Sequence, residues 1–258
     1  MIRRWSLVLV TLLVVGSGGA AWAEPTTGAE TGLAVAEPLA GRTIVIDPGH
    51  QLGNHNFPRR CSRLVPAGGF KKPCNTTGTA TRGGYPEATF AWQVSQLVAT
   101  RLRGMGAEVR LTRHSNRQDR WGPCVDVRGR AGNRIGADLK VSIHGDGSTA
   151  RGARGFHVIA PIHRRPWTSD IFRPSRRLAV GTRSALRSAG VPVANYTAGG
   201  DGLDFRSDLG TLNLANIPSV MVELGNMRNP RDAHRMTTRS GRATYARALA
   251  SAVVTHLR

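Results

Sequence analysis

The fold is decided by the stretch TIVIDPGH at residues 43–50. Its first four residues are β-branched and mostly apolar, without the alternation of a half-exposed strand, which predicts a short buried strand. The Asp-Pro-Gly sequence that follows is a turn signal. The stretch therefore predicts a buried strand that ends shortly before His50, and the folded part of the chain is expected to begin at Arg42.

Short apolar runs alternate with helical patterns along the rest of the chain. Further strands are predicted at residues 108–112, 139–143, 155–160 and 219–222, and helices at 86–103, 127–136, 175–189 and 243–257. Residues 51–84, rich in Gly, Pro, Asn and Thr, predict a long loop. Strands that alternate with helices predict an α/β fold, and strands without in–out alternation predict a sheet covered on both sides. We therefore expect a single domain with a mostly parallel, twisted sheet and helices on both faces.

The beginning of the chain differs from the rest. Two arginines precede an apolar run at residues 5–15, and Ala21-Trp22-Ala23 is an A-x-A cleavage site. Together these features are typical of a secretory signal peptide. The apolar run is shorter than the about 20 residues that span a bilayer, which argues against the alternative of an uncleaved membrane anchor. The predicted organisation is a signal peptide at residues 1–23, a flexible linker at 24–41 and the folded domain at 42–258.

The composition is strongly basic, with 36 lysines and arginines against 16 acidic residues and a net charge of +20. Removal of residues 1–23 takes away two arginines and no acid, which leaves +18. Such a charge indicates anionic partners. Export and an aromatic content of 5% argue against nucleic acid and favour anionic wall polymers. An alternative stays open, because only three of the basic residues are lysines and arginine enrichment is also typical of GC-rich genomes.

Three cysteines, Cys61, Cys74 and Cys124, follow the signal peptide. An exported protein meets an oxidising compartment, so a disulfide is expected, and the odd number leaves one cysteine over. We predict a Cys61–Cys74 bridge, because both residues lie in the long loop at 51–84, and a free Cys124. Zinc binding by all three is a less favoured alternative, because the chain has no C-x-x-C pair.

Four side chains of metal-binding or catalytic type fall at one predicted edge of the sheet. His50, His144 and Glu223 come just after predicted strands, and Glu87 opens the helix that follows the first strand. The carboxyl ends of parallel strands meet at one edge, where open α/β sheets place their ligands. Each residue alone is more typical of a structural histidine or of a glutamate that complements a helix dipole. The four in combination predict a shared site.

Two histidines and one glutamate form a known catalytic zinc set, with a fourth position open for water. Zinc lowers the pKa of a bound water to about 7, and a second carboxylate can move its proton to a leaving amine. We therefore predict that His50, Glu87 and His144 bind Zn²⁺ and that Glu223 is the catalytic carboxylate. Nearby, Asp47 is expected to hold the His50 turn or to orient a zinc ligand through a hydrogen bond, and a capping role stays open as an equal alternative.

Four further residues have no predicted role in this site. Arg128, Arg130 and Arg134 lie in the predicted helix at 127–136 and are expected on a solvated helix face. His157 has no partner pattern in the sequence, so it is expected to be structural or solvated.

The sequence resembles the zinc-dependent N-acetylmuramoyl-L-alanine amidases of the Amidase_3 family over roughly residues 42–258. The resemblance is carried by IVIDPGH at 44–50, by Glu87 after a glycine-rich loop, by VSIH at 141–144 and by PSVMVELGN at 218–226 with Asn229-Pro230. It implies zinc ligation by His50, Glu87 and His144 and catalysis by Glu223. It also implies cleavage between the lactyl group of N-acetylmuramic acid and the L-alanine of the stem peptide.

The sequence departs from the family pattern in two places. Residues 145–148 read GDGS where the family more often has Ala-Asn-Ala, and the loop with Cys61 and Cys74 is an uncommon elaboration. Neither departure removes a predicted ligand. Both leave substrate preference and access to the site open.

The resemblance implies a secreted enzyme of the periplasm or cell wall that acts on peptidoglycan and its muropeptide fragments. We expect it to be a monomer, with anionic wall polymers as further partners and no nucleic acid or stable membrane insertion. One alternative is a zinc carboxypeptidase that acts on stem peptides with similar ligands. Another is a catalytically inactive wall-binding module, which the presence of all four key residues disfavours.

Overall fold

The TIVIDPGH stretch forms strand β1 (Thr43–Pro48) in the computed structural model, which describes Thr11 and residues 37–258. Apart from Thr11, the signal peptide predicted at residues 1–23 lies outside the described residues, as do residues 24–36 of the predicted linker. The remainder of that linker packs against the fold. Leu39 is fully buried, and its N–H donates to the carbonyl of Met105 at 2.9 Å. The packed chain therefore begins before Arg42.

The helices and strands alternate much as the sequence predicts. The other strands are β2 (Leu64–Pro66), β3 (Lys71–Pro73), β4 (Glu108–Leu111), β5 (Leu139–Asp146), β6 (His157–Pro161), β7 (Leu203–Arg206) and β8 (Ser219–Asn226). The α-helices are α1 (Pro58–Ser62), α2 (Glu87–Arg103), α3 (Val125–Arg130), α4 (Phe172–Ser188), α5 (Gly210–Asn213), α6 (Pro230–Thr237) and α7 (Arg239–Leu257). Short 3₁₀ helices cover Leu52–Asn56, Asn133–Ile135 and Ala198–Gly200. Among the described residues, no helix is long and apolar enough to cross a membrane.

Six strands form the central sheet in the order β4-β1-β5-β8-β6-β7. The pairs β1–β4, β1–β5, β5–β8 and β6–β7 are parallel, and β6 runs antiparallel to β8. The prediction of an α/β domain with a mostly parallel sheet is confirmed. The parallel central strands β1, β5 and β8 bring their carboxyl ends to one edge. His50 follows β1 there, whereas β5 and β8 are longer than predicted and include His144 and Glu223 near their ends.

Helices cover both faces of this sheet. Helices α2, α4 and α7 pack on one face, where Ile44 and Ile46 of β1 join the main hydrophobic core. Val45, between them in sequence, points to the other face and packs with Ala137 and Ile217. On that second face Leu212 of α5 packs on strand residues. Burial of successive residues on opposite faces explains why β1 has no polar alternation.

The predicted helix at 127–136 is two shorter helices. Helix α3 ends at Arg130, and a 3₁₀ turn follows after Gly132, whose φ is 93°. A side chain at Gly132 would lie 2.7 Å from Ile217 Cδ1 and 2.9 Å from Val45 Cγ2. The chain must therefore bend at a glycine to pack on β1, which a continuous helix could not do.

The predicted Cys61–Cys74 disulfide is wrong, because Cys74 pairs with Cys124. The Val125 N–H donates to the Cys74 carbonyl at 2.7 Å, so the two segments run side by side. Cys61 lies in α1, where its buried thiol is free and 3.5 Å from the Asn54 carbonyl oxygen. The loop at 51–84 also holds more structure than predicted, since β2 and β3 form a small antiparallel sheet. The bridge ties this loop to the segment before α3.

Candidate functional site

The turn after β1 places His50 against His144. His50 has a φ of 56°, in the left-handed region that non-glycine residues rarely adopt. A side chain at Gly49 would lie 2.5 Å from His144 Cε1, so only glycine allows the two histidines to approach this closely. The two rings are 4.9 Å apart between centroids and nearly perpendicular. The strained turn is typical of residues held in place for a function.

Glu87 lies between the two histidines at the start of α2. His50 Nε2 is 3.0 Å and His144 Nδ1 is 2.9 Å from Glu87 Oε1. The Thr79 N–H donates to Glu87 Oε2 at 2.9 Å. Burial alone would raise the pKa of Glu87, but the two histidines hold it well below its usual value. The glutamate is therefore an anion at neutral pH.

The three side chains lie close enough together to bind one metal ion. One ligand atom from each of His50, Glu87 and His144 lies within 4.8 Å of the others. Two imidazole nitrogens and one carboxylate oxygen are the donors that catalytic zinc sites use. His50 Nδ1 is 3.0 Å from the Thr76 carbonyl oxygen, so an N–H there donates to it and leaves Nε2 with its lone pair directed at the site.

His144 is kept neutral, which is the form that binds metal. Burial lowers its pKa, as do the charges of His50 and Arg128, while Glu87 opposes them. Arg128 Nη2 donates to His144 Nε2 at 2.9 Å, because a guanidinium can only donate. The ring proton of neutral His144 is then on Nδ1, between the ring and Glu87. A cation held by Nδ1 and the carboxylate would require the other neutral tautomer of His144, with the ring proton on Nε2 facing Arg128.

Arg128 does not lie on a solvated helix face, so that expectation is wrong. Its side chain is 3% exposed and forms a bidentate ion pair with Asp47, with Nε–Oδ1 and Nη2–Oδ2 distances of 2.8 and 2.9 Å. Ser142 and Thr112 also donate to Asp47, each at 2.5 Å. Burial raises the pKa of Asp47, but Arg128 and the two hydroxyls bring it well below its usual value. An aspartate on a buried strand needs a positively charged partner. That requirement is the one feature of the sequence that could have predicted a buried arginine here.

Lys140 extends this buried network beneath the site. Its Nζ donates to the carbonyls of Arg128, Gly129 and Thr211 at 3.0, 2.6 and 3.0 Å. Burial lowers the pKa of Lys140 to about 7, while Asp47 opposes that shift. The three bonds hold the end of α3 and helix α5 against strand β5.

Glu223 lies beside the triad, on the neighbouring strand. In the pairing of β5 with β8, Glu223 is opposite His144, and in the pairing of β8 with β6 it is opposite His157. Its Oε2 is buried and has no hydrogen-bond partner among the described residues. Burial raises the pKa of Glu223 well above its usual value, and Glu87 and Asp146 raise it further, while Arg206 opposes them. This carboxylate is therefore held close to the triad but not bonded to it.

Asp146, Tyr196 and His157 form a second polar group near Glu223 that the sequence did not predict. The Tyr196 hydroxyl donates to Asp146 Oδ2 at 2.7 Å, and the Tyr196 ring lies edge-to-face on His157. His157 is buried, and its Nδ1 has no hydrogen-bond partner in the described part of the chain. His157 comes opposite Glu223 only because β6 is antiparallel to β8. No feature of the sequence gives that strand direction.

All four predicted site residues line one cleft of about 350 Å³. Within this cleft, His50 and His144 both contact Glu87. Glu223 lies on β8, the strand next to the one that holds His144. The remaining walls come from the disulfide-tied loop, from the end of β5 and from the segment that begins α5, and include Lys72, Asn75, Thr76, Thr79, Asp146, Gly147, Leu209 and Thr211. The arrangement can hold a cation and, next to it, a carboxylate able to exchange protons with a molecule in the cleft.

The chain is similar to known amidases over most of its length. A family model described as N-acetylmuramoyl-L-alanine amidase matches residues 44–255. The chain is 42% identical over 218 residues to N-acetylmuramoyl-L-alanine amidase Rv3717 of Mycobacterium tuberculosis, a match that covers 83% of this chain and 86% of that protein.

The fold of the chain is also similar to solved structures of amidases. The apo form of the N-acetylmuramyl-L-alanine amidase Ami1 from Mycobacterium abscessus is 41% identical with a TM-score of 0.78, covering 85% of this chain and all (100%) of that one. The amidase AmiC2 of Nostoc punctiforme, at 20% identity and a TM-score of 0.62, shares the fold and covers 85% of this chain and 98% of its own. The family match and the identity to these relatives, together with the cleft lined by His50, Glu87 and His144, show that the chain belongs to the N-acetylmuramoyl-L-alanine amidase family.

Proposed function

We propose that this chain is a secreted, zinc-dependent N-acetylmuramoyl-L-alanine amidase. It would hydrolyse the amide bond between N-acetylmuramic acid and the L-alanine of peptidoglycan stem peptides. The observation that carries the proposal is the cluster of His50, Glu87 and His144 beside Glu223, whose Oε2 is buried and has no partner in the described chain. Family membership supports the amidase reaction, and the donor set supports zinc as the metal.

His50, Glu87 and His144 would hold the zinc ion. When bound, zinc supplies Lewis acidity that lowers the pKa of water and polarises the amide carbonyl. The backbone donors to Glu87 and the Thr76 carbonyl at His50 orient these ligands. Arg128 contacts the far nitrogen of His144 and is itself held by Asp47, so the two residues would fix the orientation of the His144 ring.

Glu223 would move the proton that the reaction requires. Hydrolysis adds water oxygen to the lactyl carbonyl carbon, breaks the carbon–nitrogen bond and delivers a proton to the leaving L-alanine nitrogen. Glu223 can take that proton from water and then donate it to the amine, because its Oε2 is not engaged by another protein group of the described chain. A pKa raised by burial and by Glu87 suits both steps.

Several features support secretion to the periplasm or cell wall. The A-x-A site at residues 21–23 favours removal of a signal peptide, and a Cys74–Cys124 disulfide is typical of oxidising compartments. Peptidoglycan and its muropeptide fragments would be the substrates, with anionic wall polymers as further partners of a monomer of high positive charge. Amino-terminal sequencing of the extracellular protein should start at Glu24.

Mass spectrometry of digested peptidoglycan tests the reaction. We expect release of intact stem peptides with a free L-alanine amino group and of glycan strands that have lost their peptides. A carboxypeptidase would instead shorten the stem peptides from the other end and leave them attached to the glycan. Release of single carboxyl-terminal amino acids, with the lactyl amide intact, would reject the amidase assignment.

Metal analysis tests the cofactor. Purified protein should contain about one zinc per chain, and chelation should abolish hydrolysis until zinc is restored. The fold should survive chelation, because the hydrophobic core is built without the ion. The double variant His50→Ala/His144→Ala should lose both zinc and activity. Stoichiometric zinc in that variant would show that the metal lies elsewhere.

A further inference from the structure

A second cleft, of about 320 Å³, lies beside the catalytic cleft. Three arginines line it, and we name it the arginine cleft after Arg82, Arg151 and Arg228. The rest of its lining comes from residues 148–153, which follow β5, and from Asn226, Asn229 and Pro230 at the end of β8 and the start of α6. No acidic residue is among the residues that line it.

The two clefts share a wall. Thr79 and Gly147 line the catalytic cleft, and a side chain at Gly147 would lie 2.4 Å from Thr79 Oγ1, so these two segments are in direct contact. Arg82 and Ser148 continue the same two segments into the arginine cleft. A linear substrate that extends from Glu223 past this wall would therefore reach the arginines.

The backbone of the arginine cleft is fixed in place. Asn226 is 1% exposed, and its Nδ2 donates to the carbonyls of Ser148 and Ala153 at 3.0 and 2.9 Å. Asn229 Nδ2 donates to the Ala153 carbonyl at 3.1 Å. These bonds attach the segment at 148–153 to the end of β8, three residues after Glu223. The cleft and the catalytic strand are thus one rigid unit.

The three arginines are available to a ligand. All are exposed, and within residues 37–258 none of them forms an ion pair or donates a side-chain hydrogen bond to another group. In a third cleft, lined among others by Arg113, Arg117 and Arg120, two of the three arginines are already engaged. There Arg117 is paired with Asp119, and Arg113 donates to backbone carbonyls. The positive charges of Arg82, Arg151 and Arg228 are therefore not paired by any protein group of residues 37–258.

We infer that the arginine cleft binds the carboxylates of the stem peptide, an inference that rests on the proposed amidase function. In the substrate of that reaction the lactyl carboxyl is part of the scissile amide and the acetamido sugar is neutral. The negative charge of the substrate is therefore on the peptide side. Guanidinium groups bind carboxylates with two parallel hydrogen bonds, which suits a subsite made of arginines. The cleft orients the peptide half of the substrate for attack at the amide.

The test compares the triple variant Arg82→Gln/Arg151→Gln/Arg228→Gln with the wild type on a soluble muramyl tripeptide. We expect KM to rise about tenfold, since three exposed charge contacts are lost, while kcat changes less than about twofold. The wild type should prefer the tripeptide with free carboxylates over its fully amidated form, and the triple variant should lose that preference. A matched control, Arg173→Gln/Arg187→Gln/Arg247→Gln, removes three exposed arginines from α4 and α7 and should behave as the wild type.

A binding measurement separates this inference from the proposed function. Calorimetry with the free tripeptide and zinc-free protein should give a Kd that the triple variant weakens about tenfold and the control does not. If the wild type releases stem peptides but the triple variant has an unchanged KM and Kd, the inference is wrong and the amidase function stands. If the wild type releases no stem peptide, the function fails, and the calorimetry alone decides the inference. Weaker binding of polyphosphate, with tripeptide binding unchanged, would assign the cleft to phosphate polymers and overturn the inference.

Discussion

The polar groups behind His144 and those around Glu223 lie at the same edge of the sheet but differ in their hydrogen bonding. Behind His144, Asp47 accepts bonds from Arg128, Ser142 and Thr112, so its charge is fully paired. On the next strand, Glu223 has a buried oxygen without a partner in the described chain. The hydrogen bonds behind His144 hold Asp47 and Arg128 in one arrangement. The region around Glu223 leaves a carboxylate free to bond to substrate or water.

The difference follows from the cost of burial. A buried ion is stable when it is paired and hydrogen-bonded, and it is costly when it is not. Asp47 and Arg128 therefore stabilise the folded state only as a pair, and loss of either leaves a buried charge. Burial of the unpaired Glu223 carboxylate should instead make the folded state less stable, which is expected of the catalytic role proposed for it. Three predictions test this contrast, and a fourth tests the disulfide beside it.

The largest effect is expected from Glu223→Gln. The amide keeps the shape of the side chain but cannot accept a proton, so kcat should fall by about 10²–10⁴-fold. Zinc content should stay unchanged, because Glu223 is not one of the three clustered ligands. Turnover and zinc content are measured on the same preparation, with Glu108→Gln on the exposed edge strand as the control. Near-normal turnover would contradict the catalytic role, and loss of zinc would make Glu223 a fourth ligand.

The same variant has a stability signature in zinc-free protein. The folded protein raises the pKa of Glu223 above its ordinary 4.5, so the folded state binds a proton more readily than the unfolded state. The stability that this proton contributes in the wild type is therefore lost as the pH rises above about 4.5, and the glutamine variant has no such loss. At neutral pH, Glu223→Gln should raise the melting temperature. An equal melting temperature for both proteins from acid to neutral pH would show that burial of this carboxylate carries no cost.

The opposite behaviour is expected of Asp47→Asn. This variant leaves the buried Arg128 without its counter-charge and should lose about 3–5 kcal/mol of unfolding free energy at neutral pH. The pKa of Asp47 lies well below its ordinary 3.8, so the wild type keeps this stability above that pH and loses it as the pH falls further. Denaturant titrations at several pH values should show the two proteins converging in acid. Asp119→Asn, which removes an exposed ion pair with Arg117, should leave the stability unchanged at every pH.

The smallest effect concerns the disulfide that anchors the loop beside the ligands. Cys124→Ser opens a bridge between residues 50 apart and should cost about 2–4 kcal/mol, because the unfolded chain regains freedom. Cys61→Ser is the matched control. Its hydroxyl can still donate to the Asn54 carbonyl, so the loss should stay below about 1 kcal/mol. Peptide mapping without reductant should recover Cys74 joined to Cys124, and a Cys61–Cys74 peptide would refute the pairing seen here.

Much of the fold follows from local sequence patterns. The TIVIDPGH stretch predicts β1 and its turn, and the alternation of apolar runs with helical patterns predicts a mostly parallel sheet. The meeting of His50, Glu87 and His144 is predictable for the same reason, since parallel strands end at a common edge. Strand ends are local features, and a single chain reveals them.

The errors concern partners that are distant in sequence. Arg128 was expected in solvent because its helix is rich in arginine, whereas the buried Asp47 that binds it is 81 residues away. The disulfide prediction joined two cysteines of one loop, but chain folding brings Cys124 to Cys74. His157 faces Glu223 because one strand reverses direction, which no residue of that strand encodes. Such pairings depend on tertiary packing, and local propensity does not contain them.

The glycine before His50 has a consequence for the accuracy of the site. A methyl group at Gly49 would have to lie 2.5 Å from the His144 ring, so Gly49→Ala would push that ring away by roughly 1 Å to reach ordinary contact. Metal–ligand bonds tolerate errors of only about 0.2 Å. The absence of a side chain at Gly49 therefore leaves the room in which the proposed ligands His50 and His144 approach each other. The accuracy with which the two histidines are placed therefore depends on a residue that has no side chain.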